Sequence, residues 1–179
     1  MSKKFGGQKN VIYEICNEPN GNVTWNKQIK PYAKTIVKTI RKHSKNAVIV
    51  IGTPTWSQDV DVVAQSPLKG KNLMYALHFY AGTHKEWNQE KLKTAHKKGL
   101  PVMVTEFSIC DASGNGALDK ASGIQWLRLL DRYNISYTAW SLCNKNESSA
   151  LIASTCSKTS GWTNGDLSAA GKWYFNKTK

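Results

Sequence analysis

Three of the twelve acidic residues, Glu14, Glu18 and Glu106, stand in or at the tip of the apolar runs VIYEICNEP and VMVTEF. An ionised carboxylate is costly in such a place unless it is paired or hydrogen-bonded, so each calls for a reason. Pro19 follows Glu18 at once and cannot continue a ladder of backbone hydrogen bonds, so the chain turns outward there. Glu106 ends its own run. Two carboxylates facing each other across the mouth of a sheet are what hydrolysis of a glycosidic bond requires. Their separation sets the stereochemistry, roughly 5 to 5.5 Å for retention through a covalent intermediate and about 6.5 to 9.5 Å for inversion by direct water attack. The sequence carries no measure of that gap.

Sugar rings present apolar C–H faces, so a cleft that binds them needs flat aromatic side chains with polar rims. Trp56 follows IGTPT, His78 and Tyr80 stand together in LHFY, and Trp140 closes YTAW. Trp126 falls within a helical stripe and reads as core, and Trp25 reads as a loop packing residue. Trp87, Trp162 and Trp173 are left unplaced by the pattern.

The elements that must hold these residues are visible as five short apolar runs, residues 11–19, 47–52, 73–80, 101–107 and 135–142. Each is rich in β-branched or aromatic residues and has the length of a buried strand. Between them lie helical stripes. Ile29, Tyr32, Ala33, Ile36, Val37 and Ile40 form the first, closed by His43 and Asn46. Leu92, Ala95 and His96 form the second, ended by Gly99 and Pro101, and Ile124, Leu127 and Leu130 form the third. A helix-containing loop joins the second and third strands. Such alternation predicts a parallel sheet with helical crossovers, covered on both faces as in a barrel or a doubly wound sheet.

No GxGxxG or P-loop pattern follows any strand, which removes the main support for a nucleotide site. Polar and aromatic residues gather instead at the carboxyl ends of the strands, where parallel α/β folds place their chemistry. A complete (β/α)8 barrel takes about 250 residues and seldom fewer than 200. Five strands in 179 residues therefore read as one domain, residues 1–179, that is part of a barrel.

Composition narrows the class. With 40% apolar, 21% charged and 10% aromatic residues, seven of them Trp, the chain is too sticky to be disordered. Its apolar runs are far short of the roughly 20 residues a membrane span needs. No apolar stretch follows the lysines of MSKKFGGQKN, so no secretory signal is read there, leaving a cytoplasmic protein or one whose start has been removed. Cys16, Cys110, Cys143 and Cys156 show no metal-site spacing, and Cys110 and Cys143 lie just past strand ends where they could meet. The net charge of +13 comes from 25 basic residues, of which three are Arg. Nucleic-acid readers concentrate Arg with aromatics, so scattered Lys predicts solvated helix faces and no nucleic-acid partner, with loose attraction to anionic polymers.

The segments VIYEICNEPNG, GTPTWSQDV, YALHFYAGTH, VTEFSICDASGNG and AWSLCNKNESSAL, in this order, resemble glycoside hydrolase family 5, and most closely its bacterial endo-β-1,4-glucanases, the cellulases. The resemblance runs from about Met1 to the C-terminus. It implies a (β/α)8 barrel, a retaining double displacement, no cofactor or metal, a β-glucan or cello-oligosaccharide as substrate, and secretion. By position, Glu18 would be the general acid/base and Glu106 the nucleophile, with Asn17 bonding the sugar 2-hydroxyl. Tyr80 would hold Glu106, while His78 would bind substrate or orient a catalytic carboxylate. Trp140 would form the platform under the attacked sugar and Trp56 would stack on the leaving-group side. Lys145, Glu147 and the backbone at Ala112 match positions that bind more distant hydroxyls, although Lys145 and Glu147 also read as a surface pair.

The resemblance places residues 11–18 on the fourth barrel strand, so this chain corresponds to strands four to eight and MSKKFGGQKN to the end of the third helix. The family's Arg on the second strand and His after the third have no counterpart. Arg41, Arg128 and Arg132 all fall in helical patterns. Glu14, of the same strand parity as Glu18, is expected to have lost a partner. An open sheet with raw edges predicts self-association, most simply a homodimer, and the missing groups predict reduced activity. The rival readings are a mannanase or mixed-linkage glucanase on the same scaffold, a non-catalytic glucan-binding fragment, and a basic nucleic-acid-binding domain.

Overall fold

Strands and helices alternate as the apolar pattern requires, in a computed structural model that describes residues 1–177. In chain order they are α1 (Ser2–Phe5), β1 (Tyr13–Glu14), a π turn (Trp25–Ile29), α2 (Lys30–Arg41), β2 (Ile49–Ile51), α3 (Pro54–Ser57), α4 (Val60–Val63), β3 (Leu73–Tyr80) and α5 (Glu86–Lys97). β4 (Val102–Ser108), α6 (Lys120–Arg132), β5 (Tyr137–Ala139), a 3-10 turn (Asn164–Asp166) and α7 (Ala169–Lys177) complete the series. The sheet order is β1-β2-β3-β4-β5. Tyr13 registers with Ile49, Ile49 with Leu73 and Val104 with Tyr137, all in parallel pairs. A parallel neighbour requires a crossover, and a helical segment supplies each one. This is the α/β class expected, with five strands of a (β/α)8 arrangement.

All five predicted strands are present, and α2, α5 and α6 fall on the predicted stripes. β1 is shorter than its apolar run because ladder bonding fades soon after Ile15, whose N–H reaches Val50 O at 3.0 Å, and Pro19 forbids more. The chain forms two compact units, Met1–His78 with Glu90–Met103, and Phe79–Gln89 with Val104 onward.

The core of the first unit is built on Ile49, Val50 and Ile51, all fully buried, with Trp25, Ala33 and Leu92. Trp25 meets Tyr75 edge-on at 5.7 Å and donates its indole N–H to Ser66 O at 2.9 Å, as its role in packing a loop requires. Arg41, on α2, donates to Ala47 O and Lys71 O, both at 2.8 Å, and so staples the segments that lead into β2 and β3. Gly52 follows β2 because a Cβ there would stand 2.3 Å from Cys16 O and 2.8 Å from Pro19 Cδ.

The second unit packs around Phe79, which stacks on Trp126 at 3.9 Å and on Phe107 at 5.1 Å. Trp126 is completely buried, as its stripe predicts, and its indole N–H reaches His84 O at 2.8 Å. The four cysteines are free thiols. Cys110 lies buried against Ser108 Oγ at 3.4 Å, where desolvation pushes its pKa above the ordinary thiol value, while Cys143 meets Ser141 Oγ at 3.2 Å. Among the described residues no helix is long and apolar enough to cross a membrane.

Asp119 caps α6, accepting the Ser122 N–H at 2.9 Å and the Lys85 ammonium. Lys85 first, and Ser122 second, hold its carboxyl below the ordinary carboxylate value. A depressed folded-state pKa stabilises the fold above the unfolded value of about 3.9, and the gain vanishes as pH falls through the folded value. Asp119→Ala is expected to cost about 1 kcal/mol at neutral pH, read from urea midpoints. The gap between parent and variant should narrow steadily on acidification below about pH 4; a constant gap would rule out an ionic cap.

Candidate active site

In the first unit, β1 runs out into Asn17, Glu18 and Pro19, and β3 places His78 alongside. His78 is 2% exposed, with Nδ1 2.9 Å from Glu18 Oε1. With its proton on Nδ1 the ring donates to Glu18 and fixes the direction of that carboxyl. The other ring nitrogen lies 3.9 Å from Glu14 Oε1, so the imidazole stands between two carboxylates of one strand run. Strand parity puts Glu14 and Glu18 on one side, and the structure supplies the group they share. The sequence offered His78 as a choice between substrate binding and orienting a carboxylate, and in the structure its ring lies against Glu18.

Trp56 is held by an unusual backbone. Residues 55, 56 and 57 all have positive φ, at 56°, 54° and 57°. Each costs an L-residue roughly 1 to 2 kcal/mol, so neighbours must compensate. The Trp56 N–H donates to Pro19 O at 3.0 Å, Ser57 Oγ donates to Asn17 O at 2.7 Å, and Thr55 Oγ1 donates to Asp59 Oδ2 at 2.6 Å. Lys91 holds the other Asp59 oxygen at 2.6 Å. The residues on either side of Glu18 thus lend their carbonyls to the turn that presents Trp56, whose indole is 50% exposed. Nothing in GTPTWS announces this left-handed turn, because glycine, its usual signal, is absent from those three positions.

In the second unit, Glu106 near the end of β4 is 8% exposed and accepts the Tyr80 hydroxyl at 2.8 Å. Tyr80 is itself anchored: its N–H donates to His84 Nδ1 at 2.7 Å, which leaves the His84 ring proton on Nε2. His84 is buried and meets the half-exposed Trp87 edge-on at 5.8 Å. Sequence reasoning missed His84; the available signal was its i+4 position after Tyr80 in YAGTH. Trp140, just past β5, is 47% exposed, with its N–H on Phe107 O at 2.8 Å and a cis peptide to Ser141. Trp162 is also exposed, whereas Trp173 is buried. The Ala112 N–H is taken by Thr83 Oγ1 at 2.9 Å. Lys145 and Glu147 pair with each other at 3.4 Å on the surface.

The structure therefore joins Asn17, Glu18, Trp56 and His78 in one unit, and Tyr80 with Glu106 in the other. Ser57 ties the first set together. Its side chain is fully buried while Asn17 is exposed, so Ser57→Ala removes one part-buried hydrogen bond and is expected to lower stability by about 0.5 to 1.5 kcal/mol in urea unfolding and to change Trp56 fluorescence. A stability change within error would show that the turn holds itself.

Comparison with known proteins identifies the family. A family model described as cellulase, glycosyl hydrolase family 5, matches residues 1–146. An endoglucanase of Clostridium saccharobutylicum is 47% identical over 171 residues, covering 96% of this chain and 38% of its own length. One from Pectobacterium carotovorum is 44% identical, covering 97% and 34%. Among solved structures, a Cytophaga hutchinsonii protein superposes with TM-score 0.95 at 41% identity, over 98% of this chain and 57% of its own. The catalytic domain of a Thermobifida fusca endoglucanase, solved with cellotetraose, gives TM-score 0.91 at 33% identity, over 98% and 59%. The chain thus spans little more than a third of these curated relatives and somewhat over half of the solved chains. A match over most of its residues, with both carboxylates in the matched segment, makes this chain a member of glycosyl hydrolase family 5.

Proposed function

We propose that the chain carries the catalytic pair of a retaining endo-β-1,4-glucanase. The observation that supports it most is that one strand, β3, supplies a hydrogen-bond partner to each carboxylate: His78 to Glu18 and, two residues on, Tyr80 to Glu106. In the first step a Glu106 oxygen attacks the anomeric carbon as the bond to the departing sugar breaks, and Glu18 gives its proton to the leaving oxygen. In the second, Glu18 takes a proton from water, whose oxygen attacks the same carbon and releases Glu106. Asn17 bonds the 2-hydroxyl, an interaction that strengthens as positive charge develops on the ring. Trp140 and Trp56 stack sugars on either side, and Lys145, Glu147 and the loop at Ala112 serve hydroxyls farther out. The relative solved with cellotetraose makes a cello-oligosaccharide the first ligand to try, and work on such a polymer places the protein outside the cell.

As this segment alone, the protein is a weak catalyst. All three arginines lie in helices, Arg41 in α2 and Arg128 and Arg132 in α6, so no strand arginine aids the nucleophile. Losing one well-aimed electrostatic partner costs about 10²- to 10³-fold in rate. The segment also self-associates, because β1 ends the sheet order beside a groove of about 600 Å³ lined by Val11, Ile12, Ile15, Ile36 and Ile40. A bare parallel strand with an apolar flank invites pairing.

Reducing-sugar release from barley glucan should be slow but measurable, and Glu106→Gln should abolish it, whereas equal rates would mean the activity is not the protein's own. Binding of cellotetraose without turnover in either protein would favour a glucan-binding fragment instead. Light scattering across the same chromatographic peak should give a mass of at least two chains; a single-chain mass would end the self-association reading.

A further inference from the structure

α2 carries a feature that the carboxylate pair does not use. Lys30, Lys34 and Lys38 recur every four residues and so stand in one row along the helix. At 1.5 Å per residue, neighbouring lysines are about 6 Å apart along the axis. Like charges at this spacing weaken a helix, and the sequence KPYAKTIVKTIR contains no acidic residue to offset them. Lys30 turns its ammonium to Ser66 O at 2.7 Å. Among the described residues none pairs with Lys34, Lys38 or Lys69.

These four lysines line a groove of about 660 Å³ together with Asn26, Pro31, Val37, Pro67 and Leu68, and no acidic residue is in its lining. The groove lies wholly within the first unit, away from Glu18 in sequence and in lining. We infer that it is a secondary binding site for a carboxylated polysaccharide, a chain of uronic acid units. Lysines placed about 6 Å apart along the helix axis, on long flexible stems, can follow carboxylates repeated along such a polymer, and the apolar lining residues take the C–H faces of the rings. Lysine is a flexible point charge suited to a hydrated polyanion. A single-stranded nucleic acid would want arginine and stacking aromatics, and the lining has neither. The site would hold the protein on acidic components of a mixed polysaccharide independently of any hydrolysis.

The test is titration of the full chain with polygalacturonate oligomers, with neutral cello-oligosaccharide and with poly-U of matched charge. Three proteins are compared: the parent, Lys34→Gln/Lys38→Gln/Lys69→Gln, and a control, Lys45→Gln/Lys97→Gln/Lys120→Gln, with the same loss of charge. Polygalacturonate should bind the parent and the control alike, and the groove variant at least about tenfold more weakly with a shallower salt dependence. Neutral oligosaccharide binding should be the same in all three. Equal weakening in the control would show that net charge alone attracts the polymer, and tighter binding of poly-U than of polygalacturonate would show that the groove reads nucleic acid. Either result overturns the assignment.

Discussion

Each of the two acids, Glu18 and Glu106, is held by a hydrogen bond from a residue of β3. A carboxylate near the buried end of a parallel sheet is tolerated only with hydrogen-bond partners, and β3 supplies them from alternate positions, His78 and Tyr80. Everything adjoining β3 then acts as support. His84 accepts the Tyr80 N–H and gives its own carbonyl to Trp126, linking the grip on Glu106 to the aromatic stack of the second unit. In the first unit Glu14 lies on the far side of His78.

The segment around Glu18 is fixed by close approach rather than by long ladder pairing. β1 makes only two registered pairs with β2. Gly52 lets the two chains come near enough for Cys16 O and Pro19 to pack there, and the left-handed turn at residues 55–57 takes the carbonyls of Asn17 and Pro19. Bonds to the acid-bearing segment hold that turn, so the backbone that presents Trp56 is tied to the backbone on either side of Glu18. Left-handed backbone strain of this kind is common where a side chain must be presented in one orientation.

Much of this was legible in the residues. Continuous β-branched runs gave the five strands, and three- and four-residue spacing gave α2, α5 and α6, because burial imposes those periods directly. The polar residues that interrupt apolar runs, Glu18, His78, Tyr80 and Glu106, were conspicuous for the same reason. α7 was not legible. Its buried side is Ala170, Gly171 and Trp173, and Gly171 is present because a Cβ there would lie 2.0 Å from Leu151 O; small residues chosen for close approach leave no apolar stripe. The turn at Trp56 was hidden because it rests on hydrogen bonds to a segment distant in sequence, and the role of His84 because it is a local ring-to-backbone contact that no apolar period marks. The possible meeting of Cys110 and Cys143 was a statement about loop ends, which spacing does not fix, and each thiol lies instead beside a serine two residues away.

The central claim is that Glu106 becomes covalently bonded to sugar while Glu18 handles the proton. Incubation with a 2-deoxy-2-fluoro cellobioside carrying an activated leaving group, followed by peptide mass spectrometry, addresses it most directly. The account predicts a fluoro-cellobiosyl adduct on the peptide containing Glu106 and none on that residue in Glu106→Gln. An adduct on Glu18 instead, or hydrolysis of the reagent with inversion and no adduct at all, would contradict it.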